Sequence, residues 1–201
     1  MSLLDALLLD PHPFQIWIAR RNDGIKGSGT ASDPHNCSTA EAFDDVLKNL
    51  CPANSHVHLG PGTFETKGFA VSDPTAGWQP KAGMKIEGSG VGVTILKLVG
   101  TAQNTSYYVI GHELITGSSA VPNLLDHFEV TDLSINCDLG GQLPTQLSCA
   151  GVRIMGNHCR IRRIKVENWG TKSGTNHCYV ISAIIADPPS GVTEVVDAVI
   201  E

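Results

Sequence analysis

The sequence predicts an all-β protein built from stacked coils, and three observations support this fold class. Charged residues make up only 17% of the chain, whereas 21 of its 201 residues are glycine, a balance that suits short strands joined by tight turns. From residue 81 onward, short segments rich in β-branched residues alternate with stretches of Gly, Asn, Asp and Ser, and none is long enough to favour a helix. Two of these segments also match each other at an offset of about 31 residues, which is typical of stacked repeats.

The N-terminal part of the chain predicts a strand, a polar loop and a helix, in that order. FQIWIA, residues 14–19, has the composition and alternation of a strand, and the stretch rich in Gly, Asp and Ser after it reads as a loop. Apolar residues at helical spacing predict a helix over residues 39–50, with Ser38 or Thr39 as its N-cap.

HVHLGPGTFET, residues 56–66, predicts two strands that meet at a corner. The first strand turns its valine and leucine toward the core and His56 and His58 outward, because successive side chains of a strand alternate. Gly-Pro-Gly at 60–62 turns the chain, since proline restricts φ and glycine tolerates positive φ. Phe64 then re-enters the core on the second strand.

A series of short strands is predicted to follow. They are MKIEGSG (84–90), VTILKLV (93–99), YYVIGH (107–112), FEVTDLSIN (128–136), AGVRIMGN (150–157), CRIRRIKVEN (159–168) and CYVISAIIAD (178–187). FEVTDLSIN and CRIRRIKVEN carry apolar residues at equivalent positions, so we expect them on successive coils. The aligned pairs are Phe128 with Cys159, Val130 with Ile161, Leu133 with Ile164, and Ile135 with Val166.

These segments resemble the right-handed parallel β-helix proteins of the pectate-lyase-like superfamily. DGIKGSGTASDP (23–34), the helix over 39–50 and HVHLGPGTFE (56–65) follow the order found at the N-terminal end of such proteins, where the helix caps the coil. KIEGSGVGVTIL (85–96) and GVRIMGNHCRIRRIKVENW (151–169) look like later coils. The resemblance covers most of the chain after residue 14. It implies a right-handed parallel β-helix with an N-terminal capping α-helix.

The predicted organisation is an N-terminal apolar segment over residues 1–13 and a single β-helix domain over 14–201. Members of the resembled family carry more coils, and the coil pattern is still running at the last predicted strand. An uncovered coil end would expose apolar side chains and unpaired backbone groups. We therefore expect missing C-terminal coils, or a partner such as a second copy of the chain, to cover it.

Composition and charge exclude several classes of protein. A net charge of −6 argues against broad nucleic-acid binding, which needs a positive field. No apolar run is long enough to span a membrane, and the apolar N-terminus lacks the basic region of a signal peptide. An extracellular, cell-surface or virion location follows from the resemblance alone, so the compartment is not predicted.

The six cysteines predict free thiols. Their spacing contains no CxxC pair and matches no zinc motif. Cys37 and Cys51 flank the predicted helix, which would separate them by about 18 Å, too far for a disulfide. The remaining cysteines lie in predicted strands or beside them, where burial is expected.

Most familiar catalytic motifs are missing. GIKGSGT matches neither the dinucleotide nor the P-loop pattern, so we interpret it as a structural loop. No GxSxG motif is present. His56 and His58 could begin a metal site, but no third ligand lies near them in the sequence, so no metal is predicted. Calcium is implied only by the resemblance, and the sequence shows no cluster of acids to hold it.

Paired carboxylates are the catalytic groups that such a coil could present to a saccharide. Outward residues two coils apart lie about 9.6 Å from each other, which suits the acid and base of glycoside hydrolysis. The repeat places Asp132 beside Arg163 and Ser134 beside Lys165, so we favour a surface ion-pair ladder over a catalytic site. The catalytic candidates are Asp132, Asp138, Arg163, Lys165 and Glu167.

A basic strand and one tryptophan are the candidates for substrate binding. Arg160 and Arg162 could face a polyanionic saccharide, and Trp169 could stack on a pyranose ring. A solvated strand face and a packed rim residue are the simpler interpretations.

Two functions remain open. The first is a carbohydrate-active or polysaccharide-binding protein, and as an enzyme it would be a polysaccharide lyase or a glycoside hydrolase. The second is a non-enzymatic structural or adhesion module, such as a tailspike or surface-filament component.

Overall fold

The computed structural model describes residues 12–68, 76–99, 107–111, 126–141, 148–154, 158–171, 181–183 and 199–200. This part of the chain forms fourteen short strands, one helical segment and a 3-10 turn (Leu139–Gly141). The predicted segment over 1–13 lies almost entirely outside these ranges. The strands are β1 (Phe14–Ala19), β2 (His35–Asn36), β3 (Ser55–Leu59), β4 (Gly62–Thr66), β5 (Ala76–Trp78), β6 (Lys85–Glu87), β7 (Thr94–Leu98), β8 (Tyr107–Gly111), β9 (Glu129–Asn136), β10 (Ser148–Ile154), β11 (Arg160–Glu167), β12 (Gly170–Thr171), β13 (Ile181–Ala183) and β14 (Val199–Ile200).

The strands stack on three faces, and each face is a ladder of parallel pairs apart from one antiparallel pair at the edge of the third. The first face runs β2–β1–β3–β6–β9–β11–β14. The second joins β4 to β7 and continues into the C-terminal halves of β9 and β11. The third is β5–β8–β10–β13, and β12 pairs antiparallel to β10 at its edge. Since successive strands in the chain visit the faces in turn, the architecture is a parallel β-helix, as the resemblance implies.

Inward side chains stack in columns along the coil. On the first face Ile16, Val57, Ile86, Val130 and Ile161 are register partners from coil to coil, and none is more than 9% exposed. On the second face the column is Phe64, Leu96, Ile135 and Val166. Burial of one such side chain contributes roughly 1.5–3 kcal/mol, and a single coil could not bury this surface alone.

The repeat predicted from the sequence is confirmed by the pairing of β9 with β11. Val130, Leu133 and Ile135 lie opposite Ile161, Ile164 and Val166. The sequence also aligns Cys149, Ala150, Gly151 and Val152 loosely with Cys178, Tyr179, Val180 and Ile181. On the third face Val152 does pair with Ile181, whereas residues 178–180 lie outside the described ranges.

Left-handed backbone turns the chain at the corners between faces. Gly62 has a φ of 121° where β3 gives way to β4, so the Gly-Pro-Gly corner is confirmed. Within β9 and β11 the same bend falls on Asp132, with a φ of 58°, and on Arg163, with a φ of 43°. A second corner column precedes the first face, and its left-handed residues are Asn54, Gly83, His127 and His158.

The predicted helix is present and covers part of the N-terminal end of the coil. Helix α1 (Ala40–Asp45) continues as one π-helical turn, Val46–Leu50. The Thr39 hydroxyl accepts a hydrogen bond from the Ala42 N–H at 3.2 Å, so Thr39 is the N-cap. The ring of Phe43 contacts that of Phe64 on β4, with centroids 5.5 Å apart, and β7 is the only strand to which β4 bonds among the described residues.

The described cysteines are buried and form no disulfide, as the sequence predicts. They are Cys37, Cys51, Cys137, Cys149 and Cys159. The glycine-rich loop is held by Arg21, which pairs with Asp23 at 2.6 Å and with Asp33 at 2.5 Å. A Cβ at Gly27 would lie 1.9 Å from the Pro34 carbonyl oxygen, so close backbone approach explains a glycine in this loop. Within the described residues, no helix is long and apolar enough to cross a membrane.

Candidate functional site

The outward side chains of β1, β3, β6, β9 and β11, here called the outer face, form two polar columns across the coils. Alternation along each strand sends every second side chain away from the core, and the parallel register aligns these residues from coil to coil. The first column is Gln15, His56, Lys85, Glu129 and Arg160. The second column is Trp17, His58, Glu87, Thr131 and Arg162.

The N-terminal half of the outer face is a cluster of rings with one carboxylate. The His56 and His58 rings lie 3.8 Å apart between centroids, and Trp17 stacks on His58 at 4.5 Å. His56 Nε2 lies 2.6 Å from Glu87 Oε2. One potential metal-ligand atom from each of His56, His58 and Glu87 lies within 4.8 Å of the others.

Burial sets the protonation of this cluster. Burial, followed by the neighbouring His58, lowers the pKa of His56 to about 4, and burial also lowers the pKa of His58. Burial alone would raise the pKa of Glu87, but hydrogen bonds from Lys85 and His56 outweigh it and lower the pKa. At neutral pH the contact between His56 and Glu87 therefore joins a neutral imidazole to a carboxylate.

The C-terminal half of the outer face borders a pocket of about 520 Å³. His127 and His158, from successive coils, stack with their ring centroids 4.8 Å apart. Glu129 and Arg160 also line the pocket. They are register partners on β9 and β11, yet neither side chain makes an ion pair or hydrogen bond with another residue in the described ranges. The remaining lining residues are His12, Asn54 and Gly83.

The predicted catalytic residues lie in ion pairs on the surface. Arg163 Nε donates to Asp132 Oδ1 at 2.6 Å, and Arg163 Nη2 donates to Asp132 Oδ2 at 2.7 Å. The hydrogen bonds from Arg163 hold the pKa of Asp132 below its usual value. This pair confirms the ladder that the repeat predicts, and Ser134 does lie beside Lys165.

The other predicted acids are paired as well. Asp138 Oδ2 lies 3.2 Å from Lys97 Nζ on β7. Lys165 pairs with Glu167 two residues along the same strand. All five catalytic candidates are thus engaged with a neighbouring charge, and they lie on or near the second face rather than around the pocket.

The three predicted substrate-binding residues lie at different places in the fold. Arg160 lines the pocket. Arg162 belongs to the second column of the outer face, beside Thr131. Trp169 lies after β11, is 45% exposed and is not among the pocket residues.

Sequence reasoning missed two features of this face. His127 and His158 precede the residues that the repeat aligns, so the same alignment would have found their pairing. Glu87 gave no such signal, because the coil between His58 and Glu87 differs in length from the repeat between β9 and β11.

Comparison with known proteins yields structural likeness only. No protein-family model matches the chain, and no curated protein sequence matches it significantly. The A-module of the Azotobacter vinelandii mannuronan C-5 epimerase AlgE4 is similar over 74% of this chain and 38% of its own, with 17% identity and a TM-score of 0.46. The AlgE6 A-module from the same organism is similar over 63% of this chain and 32% of its own, with 16% identity and a TM-score of 0.41. The chain therefore spans less than half the length of either solved protein. Its own strand registers make it a parallel β-helix protein.

Proposed function

We propose that the outer face binds a polysaccharide bearing carboxylate groups, with one sugar unit in the pocket between Glu129 and Arg160. The observation that carries the proposal is that these two residues are register partners of opposite charge which both face the pocket and make no ion pair within the described residues. The guanidinium group of arginine is the side-chain group best suited to bind a carboxylate through two parallel hydrogen bonds. The neighbouring carboxylate of Glu129 can accept from sugar hydroxyls.

The shape of the surface supports an extended ligand. The pocket volume of about 520 Å³ falls within the range of small-ligand sites. The outer face continues from the pocket toward the N-terminal coils in two columns, so a chain of sugars has further hydrogen-bonding groups in that direction. The stacked rings of His127 and His158 provide a flat wall for the apolar face of a sugar.

The proposal concerns binding, since the carboxylates predicted for catalysis are already paired. Asp132, Asp138 and Glu167 each contact a cation. A carboxylate that exchanges a proton with substrate would first have to break its ion pair. Lyase or hydrolase activity is therefore an alternative that the same experiment can detect.

Affinity electrophoresis in gels containing polygalacturonate, alginate or neutral dextran tests the proposal. We expect retardation by a uronate polymer and not by dextran. Arg160→Gln should weaken binding at least about tenfold, the loss expected for one charge-assisted hydrogen-bonding group. Lys165→Gln is the matched control, because it removes one positive charge from the same strand away from the pocket, and it should change binding less than about twofold.

Three outcomes would contradict the proposal. One is the absence of retardation by any polymer while circular dichroism shows a folded protein. Another is equal weakening by the two substitutions, which would indicate diffuse attraction to a polyanion. The third is retardation by dextran that Arg160→Gln leaves unchanged. Release of unsaturated or reducing ends from the same polymers would show that the face also catalyses cleavage.

A further inference from the structure

We propose that His56, His58 and Glu87 bind a divalent transition-metal ion, with Zn²⁺ as the best match to the donor set. The inference is independent of polysaccharide binding and concerns the N-terminal half of the outer face. Two imidazoles and one carboxylate suit Zn²⁺ better than Ca²⁺, which takes oxygen ligands. Three protein ligands leave one position open for water or substrate.

The fold brings the three donors together from two coils. His56 and His58 are two residues apart on β3, so both rings project from the same side of the strand. Glu87 on β6 is the register partner of His58. Their ligand atoms lie within 4.8 Å of one another, and donors around a tetrahedral Zn²⁺ lie roughly 3.3 Å apart given bonds of about 2.0–2.1 Å. Small side-chain movements are enough to close the site.

Gln15 fixes the orientation of one ligand. The Gln15 side-chain N–H donates to the His12 carbonyl at 2.9 Å, so Gln15 Oε1 faces His58 Nε2 at 2.7 Å. An amide oxygen can only accept, and His58 Nε2 must therefore carry the proton. The lone pair then resides on His58 Nδ1. A second hydrogen bond that sets the tautomer of a ligating histidine is a regular feature of metal sites, and Trp17 further orients the ring by stacking.

A bound cation would replace two contacts of Glu87. His56 Nε2 donates to Glu87 Oε2 at 2.6 Å, and the metal would occupy the place of that proton. Lys85 Nζ lies 2.9 Å from the same oxygen and competes with the metal. Lys85 has an alternative partner in Glu129, its register neighbour on β9, whose side chain makes no ion pair within the described residues.

The site is partly shielded and still reachable. The His56 side chain is 15% exposed and that of Glu87 is 35% exposed. Shielding strengthens the attraction between a divalent cation and the carboxylate, while the exposed edge of Glu87 admits the ion from solvent.

Isothermal titration of the tag-free, chelator-treated protein with Zn²⁺ or Co²⁺ tests the proposal. We expect one ion per chain and, with Co²⁺, the intense visible absorption of tetrahedral coordination. His58→Gln and Glu87→Gln should each weaken binding at least about tenfold. His35→Gln, a histidine on β2 of the same sheet, is the matched control and should bind as the wild type does. Lys85→Gln should bind more tightly, because it removes the competing cation.

Hydrogen bonds alone would also explain the contacts among His56, His58 and Glu87 without any metal. The titrations distinguish this interpretation from metal binding. The proposal is overturned if the folded wild-type protein binds neither ion. It is also overturned if binding survives both His58→Gln and Glu87→Gln, or if His35→Gln weakens it as much. Circular dichroism of each variant shows whether a loss of binding reflects loss of fold.

Discussion

The carboxylate of Asp44 accepts hydrogen bonds from the Thr66 hydroxyl at 2.5 Å and from the Lys67 backbone N–H at 2.9 Å, and so ties helix α1 to the end of β4. The rings of Phe43 and Phe64 and the ion pair between Glu41 and Lys67 join the same two segments. The link is therefore part of what covers the N-terminal end of the second face.

Asp44→Ala is expected to lower the free energy of unfolding by about 1–2 kcal/mol, because it leaves both donors without their acceptor. Asp44→Asn is the matched control. Its amide can accept from the Lys67 N–H and donate to the Thr66 oxygen, so it should cost less than the alanine variant. Urea unfolding measures both values, and an equal loss in the two variants would contradict a role for the hydrogen bonds.

The same carboxyl gives a prediction for pH. Burial raises the pKa of Asp44 above its usual value of 3.8, so the folded protein holds this proton more tightly than the unfolded chain does. The stability that Asp44 contributes is thus fully present below about pH 3.8 and is lost as the pH rises through the folded-state pKa. The free energy of unfolding of the wild type minus that of Asp44→Asn should therefore fall as the pH rises above 3.8. A difference that grows with pH would contradict this sign.

Gly88 lies where two coils approach closely, and we expect no larger residue to fit there. A Cβ at this position would lie 2.3 Å from the Asp132 carbonyl oxygen and 2.8 Å from Leu133 Cβ. Gly88→Ala should lower the free energy of unfolding by about 1–3 kcal/mol, since the coils must separate. Gly140→Ala is the control, because a Cβ there would have no atom within 4 Å, and it should change stability by less than about 0.5 kcal/mol. Similar losses in chemical denaturation would refute the close approach.

Arg163 combines an exposed ion pair with a strained backbone, and two substitutions separate these effects. Its side chain is 61% exposed, so loss of the pair with Asp132 in Arg163→Ala should cost less than about 1 kcal/mol. Its φ of 43° is left-handed. Arg163→Gly removes the same pair and also relieves this strain, and it should be more stable than Arg163→Ala by about 1 kcal/mol. The reverse order in thermal unfolding would argue against strain at this corner.

The buried cysteines should be unreactive in the folded protein. Burial raises the pKa of Cys37 and Cys51 to about 12 and that of Cys159 to about 11, which leaves little thiolate to react. In a Cys178→Ser background, Ellman's reagent should label the remaining thiols on the order of 100-fold more slowly in buffer than in denaturant. Rapid labelling of one thiol in buffer would identify a site that opens.

The N-terminal strands and helix are predicted well because their signals lie in neighbouring residues. The repeat is predicted well because its two segments share one pattern of apolar residues. Alternation in β3 determines that His56 and His58 face outward, and Thr39 and the apolar spacing determine the helix. Where two coils have the same length along the chain, as for β9 and β11, the sequence also predicts contacts between them. The Asp132–Arg163 pair follows in this way from the offset between two matching segments.

The partners across unequal coils were decided by the tertiary structure alone. Register between parallel strands depends on how many residues each coil takes up, and the stretches of chain that separate His56 from Lys85 and Lys85 from Glu129 differ widely in length. Hence the sequence by itself determined the inward and outward faces of each strand, the helix and the corner at Gly62. Only the folded coil decided that Glu87 meets His56 and His58, and that His12 and Asn54 line one pocket with Glu129 and Arg160, because nonlocal strand pairing sets which side chains from distant segments become neighbours.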